Sequence, residues 1–441
     1  MNRQILHSIL PFTALFLWTT PVPAQWILQS SGTSRNLYAV FMISADTGTV
    51  VGDSGTILQT TNGGATWIPR ASGTTGSLNG VFFTGPRTGT AVGEARDSLS
   101  NRISVILRTT DGGASWRAQS AGAVRQGLHA VYFTDSGTGT AVGDIGTIMH
   151  TTDGGETWTA QQHQTGGSFN SVYVSRVNTG IVVGAYFTSG NGVIERTTDN
   201  GASWWDQPLD RAQGVKSFSG LRCVAFTDTA RGTAVGTGGF IIRTTNGGEY
   251  WKIQPSGTSI YSYLYGVSFS DSNTGTAVGG GYDSYSYFPF SIILRTTDGG
   301  ESWNPQGGGT SHFLYGVCFT NASRGIAVGE LGTILRTTTG GVIPDGIANQ
   351  PDRPREFALA QNYPNPFNPT TTIRYALPQR SRVTLTVFNT LGQQLATLVN
   401  EIQDAGYHDI RFDASGLASG VYLYRLQAGN VAMTKRLLLV R

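Results

Sequence analysis

Four carboxylates stand at one recurring place in this sequence: Asp53, Glu94, Asp144 and Glu330 each follow a Val-Gly pair. Acids that recur in register are the first candidates for chemistry, because two of them across a cleft can act as general acid and general base. The plainer reading is solvated turn acids. A second set, Asp111, Asp153, Asp199 and Asp298, recurs inside a Thr-Thr-Asp string, and Asn62 and Asn246 fill the same slot in two further copies. An amide cannot exchange a proton as a carboxylate does, so that slot is structural by default. The 6 histidines show no metal-ligand spacing. The 2 cysteines, Cys223 and Cys318, fall at different strand positions in non-adjacent repeats and read as small buried residues, not a disulfide. The residues therefore point to no catalytic constellation, no metal and no cofactor.

A repeat must position these side chains. Thr151-Thr152-Asp153-Gly154-Gly155-Glu156-Thr157-Trp158 is one copy, and the other full copies begin at Thr60, Thr109, Thr197, Thr244 and Thr296. The string is that of a tight turn. Asp or Asn accepts from backbone donors just ahead of it, Gly takes the positive-φ position, and the Trp opens the outgoing strand with a large apolar surface. A seventh copy starts at Thr337 and stops at Gly341 without its Trp. The missing piece lies at the other end of the chain, where Trp26-Ile27-Leu28-Gln29-Ser30-Ser31-Gly32-Thr33 resembles Trp251-Lys252-Ile253-Gln254-Pro255-Ser256-Gly257-Thr258. An N-terminal strand that completes the last repeat closes the chain into a ring.

The tryptophans at 26, 67, 116, 158, 204, 251 and 303 are 41 to 52 residues apart, the period of a four-stranded blade. Each repeat has an apolar first strand (Leu37 to Met42, Leu78 to Phe83, Leu128 to Phe133, Phe169 to Val174, Leu221 to Phe226, Leu264 to Phe269, Leu314 to Phe319). A second strand ending in Val-Gly, a third running into the turn, and the Trp strand follow. Stacking around a ring buries both faces of such small sheets. The expected fold is all-β: a seven-bladed β-propeller over residues 25–341 closed by an N-terminal strand, then a small C-terminal β-sandwich. Residues 1–24 read as a secretory signal, with Arg3, an apolar run from Ile5 to Trp18, and Val22-Pro23-Ala24 as a small-residue exit. No later segment has the roughly 20 apolar residues needed to cross a bilayer. Residues 342–355, with Pro344, Pro351 and Pro354, lack an apolar period and read as a linker. In residues 356–441, Val383, Leu385 and Val387 alternate, as do Val421 and Leu423. The net charge of +3 over 441 residues implies neither nucleic acid nor an anionic membrane as partner.

The turns resemble the Asp-box (bacterial neuraminidase) repeat of sialidases, sortilin-like receptors and some glucanases. The fuller string Gly332-Thr333-Ile334-Leu335-Arg336-Thr337-Thr338 looks most like the photosystem II assembly factor family of seven-bladed propellers, over roughly residues 26–341. That resemblance implies the fold, and an acidic partner for a basic patch. The tail departs from that family. Phe357-Ala358-Leu359-Ala360-Gln361-Asn362-Tyr363-Pro364-Asn365-Pro366-Phe367-Asn368-Pro369, with the ending Gly420-Val421-Tyr422-Leu423-Tyr424 to Lys435-Arg436, resembles the type A C-terminal sorting domain of the type IX secretion system, of immunoglobulin-like form. It implies export through the periplasm to the cell surface or medium, with that secretion machinery as a partner through residues 356–441. Sialidases need an Arg-Ile-Pro motif, which does not occur here, and the two-propeller glucanases need a second propeller. The expectation is a non-enzymatic binding or scaffold protein, with a glycan-active hydrolase of atypical site as the alternative.

Two recurrent sets are candidates for binding. The residue before the Thr-Thr of each turn is Arg108, Arg196, Arg243, Arg295 or Arg336 in five repeats. These arginines form either a basic ring for an acidic partner or braces for neighbouring turns. Residues entering the first strands, Tyr38, Asn79, His129, Asn170, Arg222, Tyr265 and Tyr315, vary between repeats on an otherwise constant frame. Such variation is where propellers carry specificity. Segments after Val-Gly lengthen into loops in repeats two, four and six. The sixth adds Tyr282, Tyr285, Tyr287, Phe288 and Phe290 to an aromatic surface suited to a protein or glycan ligand.

Overall fold

The protein is described by a computed structural model, which covers residues 26–122, 124–161, 166–175, 178–201, 203–207, 220–283, 289–341, 357–362, 364–404, 406–429 and 431–440. Residues 1–24 and 342–355, read from the sequence as a signal and a linker, lie outside the described residues, as do Tyr285, Tyr287 and Phe288. The chain divides into two compact units, Met1–Pro344 and Asp345–Arg441.

Among the described residues, the first unit holds seven antiparallel four-stranded sheets. Blade one is Leu37–Met42, Gly48–Gly52, Thr56–Thr60 and Ile68–Arg70, each strand pairing with the next. Blades two to six repeat this order. Blade seven pairs Leu314–Phe319, Gly325–Gly329 and Ile334–Thr337 with Ile27–Gln29 from the N-terminus, in register Ile27 with Arg336 and Gln29 with Ile334. The first strands touch one another in sequence around the ring, and that of blade seven touches that of blade one.

Burial follows the repeat. Each Trp packs between its own blade and the one before it. Trp67 lies with Val50 and Leu58 of blade one and Ile326 and Val328 of blade seven. Trp26 lies with Val278 and Ile293 of blade six and Leu314, Ala327 and Leu335 of blade seven, and is 1% exposed.

In blades two, four and six the expected loops after Val-Gly are instead continued ladder. Gly89–Arg96 pairs with Arg102–Thr109 as far as Arg96 with Arg102, and Gly275–Tyr282 pairs with Pro289–Thr296 as far as Tyr282 with Pro289. Ala185 likewise pairs with Gly192. Hydrogen-bonding the extra residues as a hairpin satisfies their backbone groups without a long exposed loop.

In the second unit, Ala358–Leu359, Thr370–Leu377 and Gly406–Asp413 form one sheet, and Gln394–Gln403, Ser381–Phe388, Gly420–Ala428 and Val431–Leu439 another. They share a core in which Val383, Leu385 and Val387 are fully buried. The alternating pair Val421 and Leu423 lies in a strand but is not part of this core. Val421 is exposed, and Tyr424, Leu426 and Ala428 face in, because side chains alternate and the buried Tyr fixes the phase. Among the described residues no helix is long and apolar enough to cross a membrane.

Candidate functional site

Pairing of the first and second strands shifts by one residue at the same point in every blade. The residue inside each shift is Tyr38, Asn79, His129, Asn170, Arg222, Tyr265 or Tyr315. A bulge leaves its extra residue out of the ladder and re-aims that side chain. The variable positions are thus the bulges; the first strands that carry them touch one another around the ring, so the bulges stand at its mouth, on the face of the second-to-third-strand turns. The bulge also explains the Gly of each Val-Gly pair. A Cβ on Gly52 would lie 2.1 Å from the carbonyl oxygen of Asn36, and one on Gly143 1.9 Å from that of Gly127.

The seven residues form a nearly continuous belt. Asn79 Nδ2 donates to the carbonyl of Leu128 at 2.9 Å, His129 Nδ1 lies 3.3 Å from Asn170 Oδ1, and Asn170 Nδ2 donates to the carbonyl of Leu221 at 2.7 Å. The Arg222 guanidinium stands 5.9 Å from the Tyr265 ring centroid. Ring centroids of Tyr265 and Tyr315 are 5.2 Å apart, and those of Tyr315 and Tyr38 5.5 Å.

The post-Val-Gly acids sit against this belt in blades seven, one, two and three. Asp53 Oδ1 accepts from Tyr38 Oη and Ser77 Oγ, both at 2.9 Å. Glu330 accepts from Tyr315 Oη and the Phe313 amide, both at 3.1 Å. Glu94 and Asp144 converge on Arg102, with Glu94 Oε2 at 2.9 Å from Nε. Asp144 also meets His129 Nε2 at 3.3 Å and accepts from Ser168 Oγ at 2.9 Å. Its carboxyl is held below the usual range, chiefly by His129. Burial and then Asp53 push the Tyr38 phenol up to about 12. Burial and then Glu330 push Tyr315 up further.

Beside this sector, Tyr263 stacks on Tyr265 at 6.3 Å, and Phe313 meets Tyr282 edge-on at 5.2 Å. Phe313 and Phe290 lie over Gly280 and Gly281, where a Cβ would strike their rings. Tyr261, Tyr282 and Phe290 remain exposed.

The arginines stand on the opposite face, each reaching the next blade's turn. Nε of Arg108, Arg196, Arg243 and Arg336 donates to the carbonyl of Gly154, Gly247, Gly299 and Gly63 at 2.9, 2.9, 2.7 and 2.7 Å. Arg295 reaches Gly340 and Ala322. Arg108, Arg196 and Arg243 also pair with Glu156, Glu249 and Glu301. Gln59 makes the equivalent bond to Gly112 at 2.6 Å. Within the turns, Asp153 accepts from the Thr157 amide and hydroxyl and from Thr151 Oγ1. Asn62 takes the same bonds from the Thr66 amide and Thr60 Oγ1.

Sequence reading missed an aromatic crescent. At the other end of the inner strands, Phe41, Phe82, Tyr132 and Tyr173 follow one another with centroids 4.9, 4.9 and 5.2 Å apart. The equivalent residues of blades five to seven are the small Ala225, Ser268 and Cys318. The signal was present as the fifth residue of each first strand, hidden because large and small residues share the position. Both cysteines are free, and burial pushes their thiols up. Among the described residues, no group of His, Cys, Asp and Glu could hold a metal ion.

Residues 361–440 match the family described as the secretion system C-terminal sorting domain. No curated protein matches the chain. Its fold is similar to YCF48 bound to a D1 peptide, with TM-score 0.56, 21% identity, and 73% of this chain and 99% of that one covered. YCF48 from Cyanidioschyzon merolae matches with TM-score 0.55, 21% identity, and 71% and 99% covered. A GH74 xyloglucanase from Xanthomonas campestris matches with TM-score 0.53, 13% identity, and 80% and 60% covered. These likenesses establish a propeller fold. The chain is a propeller that carries a secretion sorting domain.

Proposed function

We propose that this is an exported, non-enzymatic binding protein whose ligand sits at the bulge-lined channel mouth, and whose tail engages the type IX secretion machinery for delivery to the cell surface or medium. One observation carries the binding reading: a constant bulge in every blade presents a polar or aromatic side chain, Tyr in three blades, Asn in two, and His and Arg in one each. A frame that is identical while its presented residues vary is a recognition device. The D1 peptide in the YCF48 structure offers precedent for peptide binding on this fold. The arginines of the opposite face are better read as braces, since each is held on a neighbouring turn.

The glycan-hydrolase reading has one observation in its favour, the convergence of Glu94 and Asp144. Arg102 bridges them, however, and an acid ion-paired to arginine is a poor proton donor.

Two experiments test the proposal. Tyr265→Ser with Tyr315→Ser should abolish capture of ligand from peptide and glycan arrays; an unchanged array profile refutes the mouth as the binding face. Deletion of residues 356–441 in the native host should leave a folded propeller in the periplasm; normal appearance of the truncated protein outside the cell ends the sorting reading.

A further inference from the structure

We propose that Tyr38 with Asp53, Tyr315 with Glu330, and Tyr265 beside them form a recognition site for an alkylammonium group, carried as the lysine side chain of a partner peptide. The proposal rests on the channel mouth being the binding face and names the ligand chemistry of one sector of it.

Charge is the first argument. Of the four acids at the mouth, Glu94 and Asp144 have Arg102, and Asp144 also has His129. Among the described residues, Asp53 and Glu330 accept from neutral donors, two phenols, a serine hydroxyl and a backbone amide. Among the described residues no arginine, lysine or histidine forms an ion pair with either. Both side chains are half-buried, so their charge is only partly screened and still reachable.

Hydrogen-bond capacity is the second. A carboxylate offers about four lone-pair sites and donates nothing. The hydroxyl hydrogens of Tyr38 and Tyr315 are already directed at Asp53 and Glu330. These two pairs therefore present spare acceptors and ring faces. A neutral sugar brings donors and acceptors together and leaves its acceptors unmatched there, whereas an ammonium brings donors alone.

Ring geometry is the third. Tyr38, Tyr315 and Tyr265 come from three successive blades with centroids 5.5 and 5.2 Å apart, the latter pair edge-to-face. Such a corner offers an electron-rich face to a cation. The Arg222 guanidinium already stands 5.9 Å from the Tyr265 centroid, so the ammonium is centred on the Tyr38 and Tyr315 rings, with Tyr265 as their edge-on neighbour. The raised phenols of Tyr38 and Tyr315 agree with a negative local field, though burial is the larger cause in both.

The test is calorimetric titration of the full exported chain with acetyl-Gly-Lys-Gly-amide, its norleucine counterpart, tetramethylammonium chloride and a chito-oligosaccharide. The lysine peptide should bind, more weakly as salt is raised, and the norleucine peptide should not. Asp53→Asn and Glu330→Gln should each weaken the lysine peptide by about tenfold. Glu156→Gln, on the opposite face, should leave it unchanged. Competition by tetramethylammonium supports recognition of the charge by the rings. Thermal melting separates lost binding from lost fold, and the two acid variants lie on different blades so that one unstable variant leaves the other. Equal binding of the lysine and norleucine peptides, or wild-type affinity in both folded acid variants, overturns the cation site. Preferential binding of the chito-oligosaccharide, abolished by Tyr315→Ser, overturns it too while keeping the mouth as a binding face. Failure of all probes, together with an array profile insensitive to the tyrosine substitutions, removes both readings.

Discussion

Asp153 and its equivalents show how one side chain fixes a turn. The Thr157 hydroxyl and amide and the Thr151 hydroxyl all donate to Asp153, which holds its carboxyl well below the ordinary range. Asp111 is lowered in the same way, first by Ser115. Asp199 is held at about 2, first by the Ser203 hydroxyl. At Asp298 partial burial pulls upward and the hydrogen bonds from Ser302 and Thr296 outweigh it, again leaving about 2. An unfolded Asp titrates at about 3.9. A depressed folded value means that the stabilisation is present above that pH and is lost as pH falls through the folded value. Replacing Asp111, Asp153, Asp199 and Asp298 together by Asn should therefore flatten the fall of melting temperature between about pH 5 and pH 2. An acid limb as steep as wild type would show that these turns do not carry the pH dependence. This slot was legible because Asn62 and Asn246 share it. The Phe41 to Tyr173 crescent was not, since nothing in one residue's identity says that its neighbour one blade away is also aromatic.

At the scale of elements, the braces between blades make a second comparison. Arg or Gln at the position before Thr-Thr reaches the next turn in six of the seven blades. The exception is His150 of blade three, whose Nδ1 is buried without a hydrogen-bond partner and whose imidazole is lowered by burial. The turn it faces is also the exception, with Asn200 at φ 59° where the other turns have Gly. His150→Arg should let the side chain reach the Asn200 carbonyl and stabilise the propeller by on the order of 1 kcal/mol. A melting temperature at or below wild type would show that this junction cannot accept the brace. Strands and turns were legible as elements from the repeat itself. Their lengths after Val-Gly were not, because a polar, Gly-containing stretch suits a loop and the tip of a hairpin alike. The last strands of the second unit were legible as strands, but which of their faces turns inward was not. A strand with apolar residues on both faces has no phase of its own until Tyr424 and its neighbours find the core.

The propeller is closed by joining its first strand to its last blade, and the sequence signalled this through a seventh turn without its Trp. Ile27 and Leu28 of the closing strand are 46% and 62% exposed, so burial there stabilises little. Trp26 is the anchor. It is fully enclosed, meets Phe319 edge-on at 5.8 Å, and its Nε1 donates to Gln306 Oε1 of blade six at 3.2 Å. It thus ties the last two blades together as well as closing the last one. Trp26→Ala should cost about 3–5 kcal/mol, the range for emptying a large aromatic site in a packed interior. Leu28→Ser should stay within about 0.5 kcal/mol, as exposed substitutions do. The pair of measurements separates two ways of closing the ring. If the ladder from Ile27 with Arg336 to Gln29 with Ile334 were sufficient, both variants would melt together, because both keep their backbone hydrogen bonds. If the buried indole closes it, only Trp26→Ala falls. That outcome is expected from the other blades, where the same slot is always filled by a Trp from within the repeat.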